Sequence, residues 1–188
     1  HKNKHLPLQD EIVEALKAEF PLIKAILLNV NSGDDNVILG KKTIQLTKDA
    51  TISDKLGDFT FQISATSFYQ VNPVQAKKLY ETAINLADIK NTETVLDLYC
   101  GIGTIALFAS QKAKQVYGVE VNAQSIEDAK INAELNHVSN IEFLAADSAE
   151  AAQTFIENNI QMDVIVVDPP RKGLDQDTIN AIKTLEPS

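Results

Sequence analysis

Two glycines, Gly101 and Gly103, follow directly on Asp97-Leu98-Tyr99-Cys100, and Glu120 stands seventeen residues beyond Gly103. Glycine has no Cβ, so this loop can turn tightly and bring its backbone close to a ligand. A carboxylate ending the next strand can accept hydrogen bonds from both hydroxyls of a ribose. The spacing reads as a nucleoside site. Gly101-x-Gly103-x-x-Ala106 also satisfies the dinucleotide fingerprint, which places a pyrophosphate at the start of a helix. Asp97, four residues before Gly101, stands at the mouth of that loop. At about 4–6 Å and an effective dielectric near 20, it would oppose each phosphate charge by roughly 3–4 kcal/mol. S-adenosylmethionine inverts the sign, because its ammonium and sulfonium groups are cations. Asp-x-x-x-Gly-x-Gly followed by Glu therefore fits adenosylmethionine better than a dinucleotide.

A second motif is Asp163-Val164-Ile165-Val166-Val167-Asp168-Pro169-Pro170-Arg171-Lys172-Gly173. The two prolines fix the exit of the chain and hold Asp168 over a strand end. Methyltransferases that act on exocyclic amines place an aromatic residue after Asn/Asp-Pro-Pro. Arg171 in that slot points away from amine methylation and toward an anion or a base edge. The plainer alternative is a rigid turn with an exposed Arg-Lys pair.

These residues need a scaffold, and from residue 72 the pattern supplies one. Asn72-Pro73-Val74-Gln75 starts a helix, with Asn72 as the cap and Pro73 at the first helical position. The helix runs to about 87. Strands follow over 94–99, 115–120, 141–145 and 164–167, with helices over 104–111, 123–136, 148–157 and 175–185. Such alternation gives a parallel sheet with helices on both faces and its site at the carboxyl ends of the strands. Residues 1–70 read instead as a small α+β segment, and 71–188 as the nucleotide-binding domain. In the first part, Ile12, Val13, Leu16 and Phe20 share one helix face. A strand is expected over 23–30, a turn over 31–36, short strands over 37–39 and 43–46, and a hairpin of 51–56 with 59–64 about Gly57-Asp58.

Composition narrows the class. The chain has 188 residues, 44% hydrophobic and 23% charged, enough for one domain with a small appendage. No apolar run approaches the roughly 18–20 residues of a membrane-spanning helix. The single cysteine, Cys100, excludes an internal disulfide or a four-cysteine metal site, and its scarcity suits a reducing, cytoplasmic setting. The net charge of −9 argues against a freestanding nucleic-acid binder. His1, His5 and His137 have no partners at ligand spacing, so no metal is expected. The acidic Asp34-Asp35 and Glu127-Asp128 read as solvated surface. The chain opens on His1 rather than methionine, which reads as the cut edge of a larger protein.

Four segments occur in order: Phe68-Tyr69-Gln70-Val71-Asn72, Asp97-Leu98-Tyr99-Cys100-Gly101-Ile102-Gly103, Gly118-Val119-Glu120 and Val167-Asp168-Pro169-Pro170-Arg171-Lys172-Gly173. With Asn36-Val37-Ile38-Leu39-Gly40 they resemble the bacterial RNA uracil-C5 methyltransferase family through most of residues 8–188. The resemblance implies a Rossmann-like class I methyltransferase fold, S-adenosyl-L-methionine as cofactor and an RNA substrate, ribosomal ahead of transfer RNA. It implies that Gln70, Tyr99, Glu120 and Asp168 contact the cofactor or lie beside the transferred methyl, and that Asp147 faces the adenine. Asp97, Gly101 and Gly103 complete the expected cofactor set.

C5 of uracil is a poor nucleophile. Its methylation needs a thiolate to add at C6 and a base to remove the C5 proton. Cys100 lies in the cofactor loop, where a thiol that merely packs is the expected role. The family's nucleophile sits in a Ser-Cys-Asn-Pro-like segment after the Asp-Pro-Pro-Arg turn and its helix, so both it and the general base are expected beyond Ser188. An RNA-binding barrel or an iron–sulfur cluster would precede His1. On this reading the chain is a cofactor-binding core, inactive alone. A methyltransferase for another base position or a small molecule, and a non-catalytic Rossmann-like module, are the alternatives.

Overall fold

The computed structural model describes residues 5–31, 39–40 and 42–187. The strand expected over 37–39 and the core of the turn at 32–36 lie outside them. The chain divides into two compact units, residues 1–53 with 63–66 and residues 54–62 with 67–188.

In the first unit, helix α1 spans Gln9–Glu19 and buries none of its residues fully. Strand β1 is Leu27–Val30 and pairs antiparallel with β2, Lys42–Gln45. The strand expected from residue 23 starts later because Ile23 closes a turn back onto Phe20 (N–H to C=O, 3.0 Å). Asn29 holds the chain as it returns, accepting from the Gly40 N–H at 2.7 Å and donating to the Gly40 carbonyl at 2.9 Å. Strands β3 (Thr51–Leu56) and β4 (Phe59–Ser64), whose residues 54–62 belong to the second unit, form the expected hairpin, with Gly57 at φ 63° in the turn.

The second unit is the alternating α/β domain. Asn72 caps α2 (Pro73–Leu86) by accepting from the Gln75 N–H, and Pro73 opens it without a lost donor. There follow β5 (Thr94–Leu98), α3 (Thr104–Ser110), β6 (Gln115–Glu120), α4 (Ala123–Leu135), β7 (Ile141–Ala145), α5 (Ser148–Glu157), β8 (Val164–Val167) and α6 (Gln176–Leu185). The four strands are all parallel in the order β7-β6-β5-β8. The chain steps outward from β5 to β7 and then returns to add β8 on the other side of β5. This reversal opens a crevice at the carboxyl end of β5, where ligands of such sheets bind. Between β5 and β8, Asp163 continues the pairing by accepting from the Thr94 N–H through its side chain and donating its own N–H to the Thr94 carbonyl.

Both faces of this sheet are sealed. Leu96, Leu98, Val119, Phe155, Met162 and Leu185 form one core with α5 and α6. The other carries an aromatic cluster in which the Phe108 ring lies 5.3 Å from Phe59 and 5.6 Å from Tyr80. Phe155 is 1% exposed and packs on Tyr117. Replacing it with alanine removes a filled aromatic volume from a close-packed layer. Phe155→Ala is expected to destabilise the chain by about 3–5 kcal/mol, read as a lower urea midpoint at unchanged slope.

Candidate functional site

Strand β5 ends one residue earlier than expected because Tyr99 turns left-handed, at φ 65°. Gly101 and Gly103 follow at 54° and 82°, so three of the five residues after Leu98 take a conformation that L side chains avoid. For the glycines this is free; for Tyr99 it is local strain, of the kind that clusters at ligand sites. The Cys100 N–H donates to the Val119 carbonyl at 3.0 Å, and the Gly103 N–H to the Cys100 carbonyl at 2.8 Å, which fixes the loop on β6. The two glycines then do different things. A Cβ on Gly101 would meet nothing within 4 Å, so that position opens onto free space. A Cβ on Gly103 would lie 2.9 Å from the Phe143 ring, so this glycine serves helix packing rather than facing a ligand.

The free space is a cavity of about 500 Å³. Its walls come from the segment before α2 (Phe68, Tyr69, Gln70), the β5 loop (Tyr99–Ile102), Thr104, Glu120 after β6, and Asp168–Arg171 after β8. Gln70, Tyr99, Gly101, Glu120 and Asp168, expected from sequence to share a site, thus line one hollow. A neighbouring hollow shares Tyr99, Glu120 and Pro170 with it and reaches Asp147 and Thr178. Asp147 therefore stands at the far end of an elongated groove. Its Oδ1 caps α5, accepting from the Ala149 and Glu150 N–H groups at 2.9 Å.

Behind the groove, the Tyr99 hydroxyl lies 3.0 Å from Thr178 Oγ1, and Thr178 is held at the start of α6 by Asp175. This anchors the Tyr99 ring from its far end. Tyr80 is a wall residue that the sequence reading missed. It lies on the α2 stripe Ala76–Tyr80–Ile84, whose spacing signals only a core face, and its hydroxyl meets Thr104 and Gln70. Tyr69 is a further wall residue; burial, with Asp54 beside it, pushes its phenol up to about 12.

Asp97 departs from the expectation of a charged group at the loop mouth. Its side chain is fully buried, and both carboxyl oxygens lack a hydrogen-bond partner. Burial pushes its pKa up to about 8; the Ala106 backbone N–H, close to the carboxyl but outside hydrogen-bonding geometry, lowers it, and Asp168 and Glu120 raise it further. At neutral pH the protonated form prevails. The repulsion of a phosphate by a fixed Asp97 charge is therefore corrected: the carboxyl is fully buried, lies outside the cavity lining and is held protonated by burial. Cys100 is buried, and burial, with Asp97 and Glu120 adding to it, pushes its thiol well above the usual range. It is no thiolate.

The acidic pair Glu127–Asp128, expected as solvated surface, splits. Glu127 is exposed and meets Lys130, whereas Asp128 is 2% exposed and accepts from the Ser67 hydroxyl at 2.6 Å. Sequence spacing could not distinguish them, because α4 presents a polar stripe to the protein as well as to water.

A parallel sheet in this order, with a glycine loop and acidic strand ends on one groove, defines a Rossmann-like nucleotide-binding fold. Residues 5–187 match the tRNA (Uracil-5-)-methyltransferase family, and the chain belongs to it. An RNA methyltransferase of Oceanobacillus iheyensis is 48% identical over 186 residues, which is 99% of this chain and 40% of that protein. One from Clostridium tetani is 45% identical with the same coverage. Among solved structures, the Pyrococcus abyssi tRNA (uracil-54, C5)-methyltransferase in complex with S-adenosyl-L-homocysteine superposes with a TM-score of 0.67 at 26% identity. That match covers 91% of this chain and 41% of the other. The chain spans about 40% of the length of these relatives. Among the described residues no helix is long and apolar enough to cross a membrane.

The buried Asp97 gives the fold a pH signature. Its folded pKa lies above its unfolded value near 4, so the native state holds an extra proton between them. This contribution is fully present below pH 4 and is lost as pH rises through 8. From pH 6 to 8 the unliganded chain is expected to lose up to about 1.4 kcal/mol of stability per pH unit. Asp97→Asn, which cannot ionise, is expected to flatten that slope in urea titrations at stepped pH.

Proposed function

We propose that this chain is the S-adenosyl-L-methionine-binding core of a cytoplasmic RNA (uracil-5-)-methyltransferase that acts on C5 of a uridine, in ribosomal RNA ahead of transfer RNA. The observation that carries the reading is the meeting of Gln70, Tyr99, Glu120 and Asp168 on one cavity beside the open face of Gly101. The cavity suits a cationic nucleoside. Asp97, fully buried and outside the lining, stands within electrostatic reach of Glu120 and Asp168 with two unpartnered oxygens, and a cationic ligand in the cavity would favour its ionised form. Glu120 is placed at the end of β6 to accept from ribose hydroxyls, and Asp147, farther along the groove, to accept from an adenine amine. Tyr99 offers an anchored ring face between them. Gly103 contributes by letting α3 start close against Phe143.

Bound there, the cofactor supplies a methyl group on a sulfonium. The residues of this chain hold and orient it, while Gln70 and Asp168 line the side of the cavity that Arg171 shares. The cysteine adduct that C5 chemistry requires does not form on Cys100, whose buried thiol stays protonated. We assign the nucleophile and the general base to parts of the longer protein outside these 188 residues. A dinucleotide fits less well. Arg171 is the sole cation among the lining residues, beside Glu120 and Asp168, so the cavity offers little to two phosphates.

The chain has no tryptophan and four tyrosines, of which Tyr69, Tyr80 and Tyr99 line the cavity. Adenosylhomocysteine is therefore expected to change the tyrosine emission as it binds. Calorimetry should give a micromolar Kd, about −8 kcal/mol, weakened roughly ten- to hundredfold by Glu120→Ala through loss of charged hydrogen bonds. Affinity should rise with pH from 6 to 8 as Asp97 gives up its proton more readily. Binding of NADH and not adenosylhomocysteine would overturn the reading. For the longer protein, ribosomal and transfer RNA carrying 5-deuterouridine separate the substrates: methylation at C5 releases the deuterium, and methylation elsewhere retains it.

A further inference from the structure

Helix α4 carries a polar stripe that its place against the sheet does not require. Asp128, Asn132 and Asn136 recur at every fourth position and so lie on one face. Asn132 is fully buried, and its side chain is fully engaged. Its Oδ1 accepts from the Gln62 N–H at 2.7 Å, and its Nδ2 donates to the Gln62 and Ile102 carbonyls, each at 3.2 Å. Asn136 repeats the pattern one turn on, accepting from the Thr60 N–H at 2.8 Å and donating to the Thr60 carbonyl at 2.7 Å. The two amides treat the end of β4 as a neighbouring strand would. Asp128, one turn earlier, accepts from Ser67 at 2.6 Å and from the Gln124 amide at 3.4 Å.

These bonds end at two walls of the cavity. Ile102 lies between Gly101 and Gly103 in the β5 loop, and Ser67 directly precedes Phe68, Tyr69 and Gln70. The helix that fixes the glycine loop therefore also fixes the start of the facing wall. A buried asparagine costs stability unless all its groups are paired, and an alanine here would have the higher helix propensity. The polar stripe is explained by what it holds.

We infer that Asn132 and Asp128 are positioning residues of the cofactor site, setting the separation between the glycine loop and the Tyr69–Gln70 wall. The inference rests on the reading of this cavity as the cofactor site. Four variants of the chain test it: Ser67→Ala, Ser67→Thr, Asp128→Asn and Asn132→Ala. Each is measured for adenosylhomocysteine affinity, thermal midpoint and amide hydrogen exchange. Ser67→Ala leaves the buried Asp128 carboxylate short of a donor, so its midpoint falls somewhat, and binding is expected to weaken roughly tenfold beyond that fall. Ser67→Thr restores the hydroxyl, and Asp128→Asn keeps an oxygen acceptor for it; both should bind nearly as the unaltered chain does. Asn132→Ala should weaken binding further and speed exchange at Gln62 and residues 101–103. Should Asn132→Ala fail to fold, the half-buried Ser67 variants still decide the matter. Affinity that falls only in step with the midpoint, or a Ser67→Ala variant that binds normally, overturns the inference. If the unaltered chain itself does not bind adenosylhomocysteine, the cofactor reading falls and exchange alone decides. Faster exchange at residues 69–70 in Ser67→Ala and at 101–103 in Asn132→Ala, with β6 and β7 unchanged, sustains the positioning role, and unchanged exchange overturns it.

Discussion

The carboxyl group of Asp97 is the constraint around which the second unit is arranged. It sits at the end of the central strand, fully buried, with no hydrogen-bond partner for either oxygen. An isolated buried charge is far more costly than a buried neutral acid, so the protein carries it protonated and accepts a penalty for the unsatisfied oxygens. The surrounding structure has to hold that group in place without satisfying it. The sheet does so through strands on both sides of β5, two sealed apolar faces, and a loop that turns left-handed at Tyr99, Gly101 and Gly103. Stability is spent at one atom group whose ionised form a cationic ligand would favour.

Much of this domain was legible because its signals are local. Asn72, Asn122, Asp147 and Asp175 each cap a helix by accepting from its first backbone N–H groups, and residues of these types ahead of an apolar run announce that role. Strand ends fell where glycine, proline or acid interrupted the apolar runs. The glycine loop and the acids at 120 and 168 were legible for the same reason, since the parallel topology sends every strand end to one edge. What was hidden depended on tertiary surroundings. Spacing could not show that Asp97 is buried beneath the loop rather than at its mouth, that Gly103 faces Phe143 rather than a ligand, or that Asp128 faces Ser67 rather than water. Tyr80 hid among core positions because its hydroxyl is the one polar atom on an otherwise apolar stripe.

The first unit shows the same limit from the other side. Ile12, Val13, Leu16 and Phe20 keep strict helical spacing, and the helix forms, yet Ile12 and Phe20 remain 39% and 54% exposed. Periodicity reports that a face exists; burial depends on what the rest of the protein brings to it. Asn29, by contrast, had no legible role in the sequence, although its amide brackets Gly40 from both sides. A Cβ at Gly40 would lie only 1.9 Å from the Val30 carbonyl oxygen. The glycine is fixed by a close approach of backbone to backbone that no spacing rule reveals.

The electrostatics of the cavity also bear on the one cysteine in its wall. Glu120 and Asp168 line the cavity and make a field that favours a cation. Glu120, together with Asp97 once that carboxyl is ionised, adds to burial in raising the Cys100 thiol. A field of that sign disfavours a thiolate at Cys100. The Cys100 Sγ lies 3.0 Å from where a Cβ of Gly118 would stand, packed between β6 and the loop. Its small, polarisable side chain fills a gap between β6 and the glycine loop, and a thiolate there would oppose the charge arrangement on which recognition of the cofactor rests.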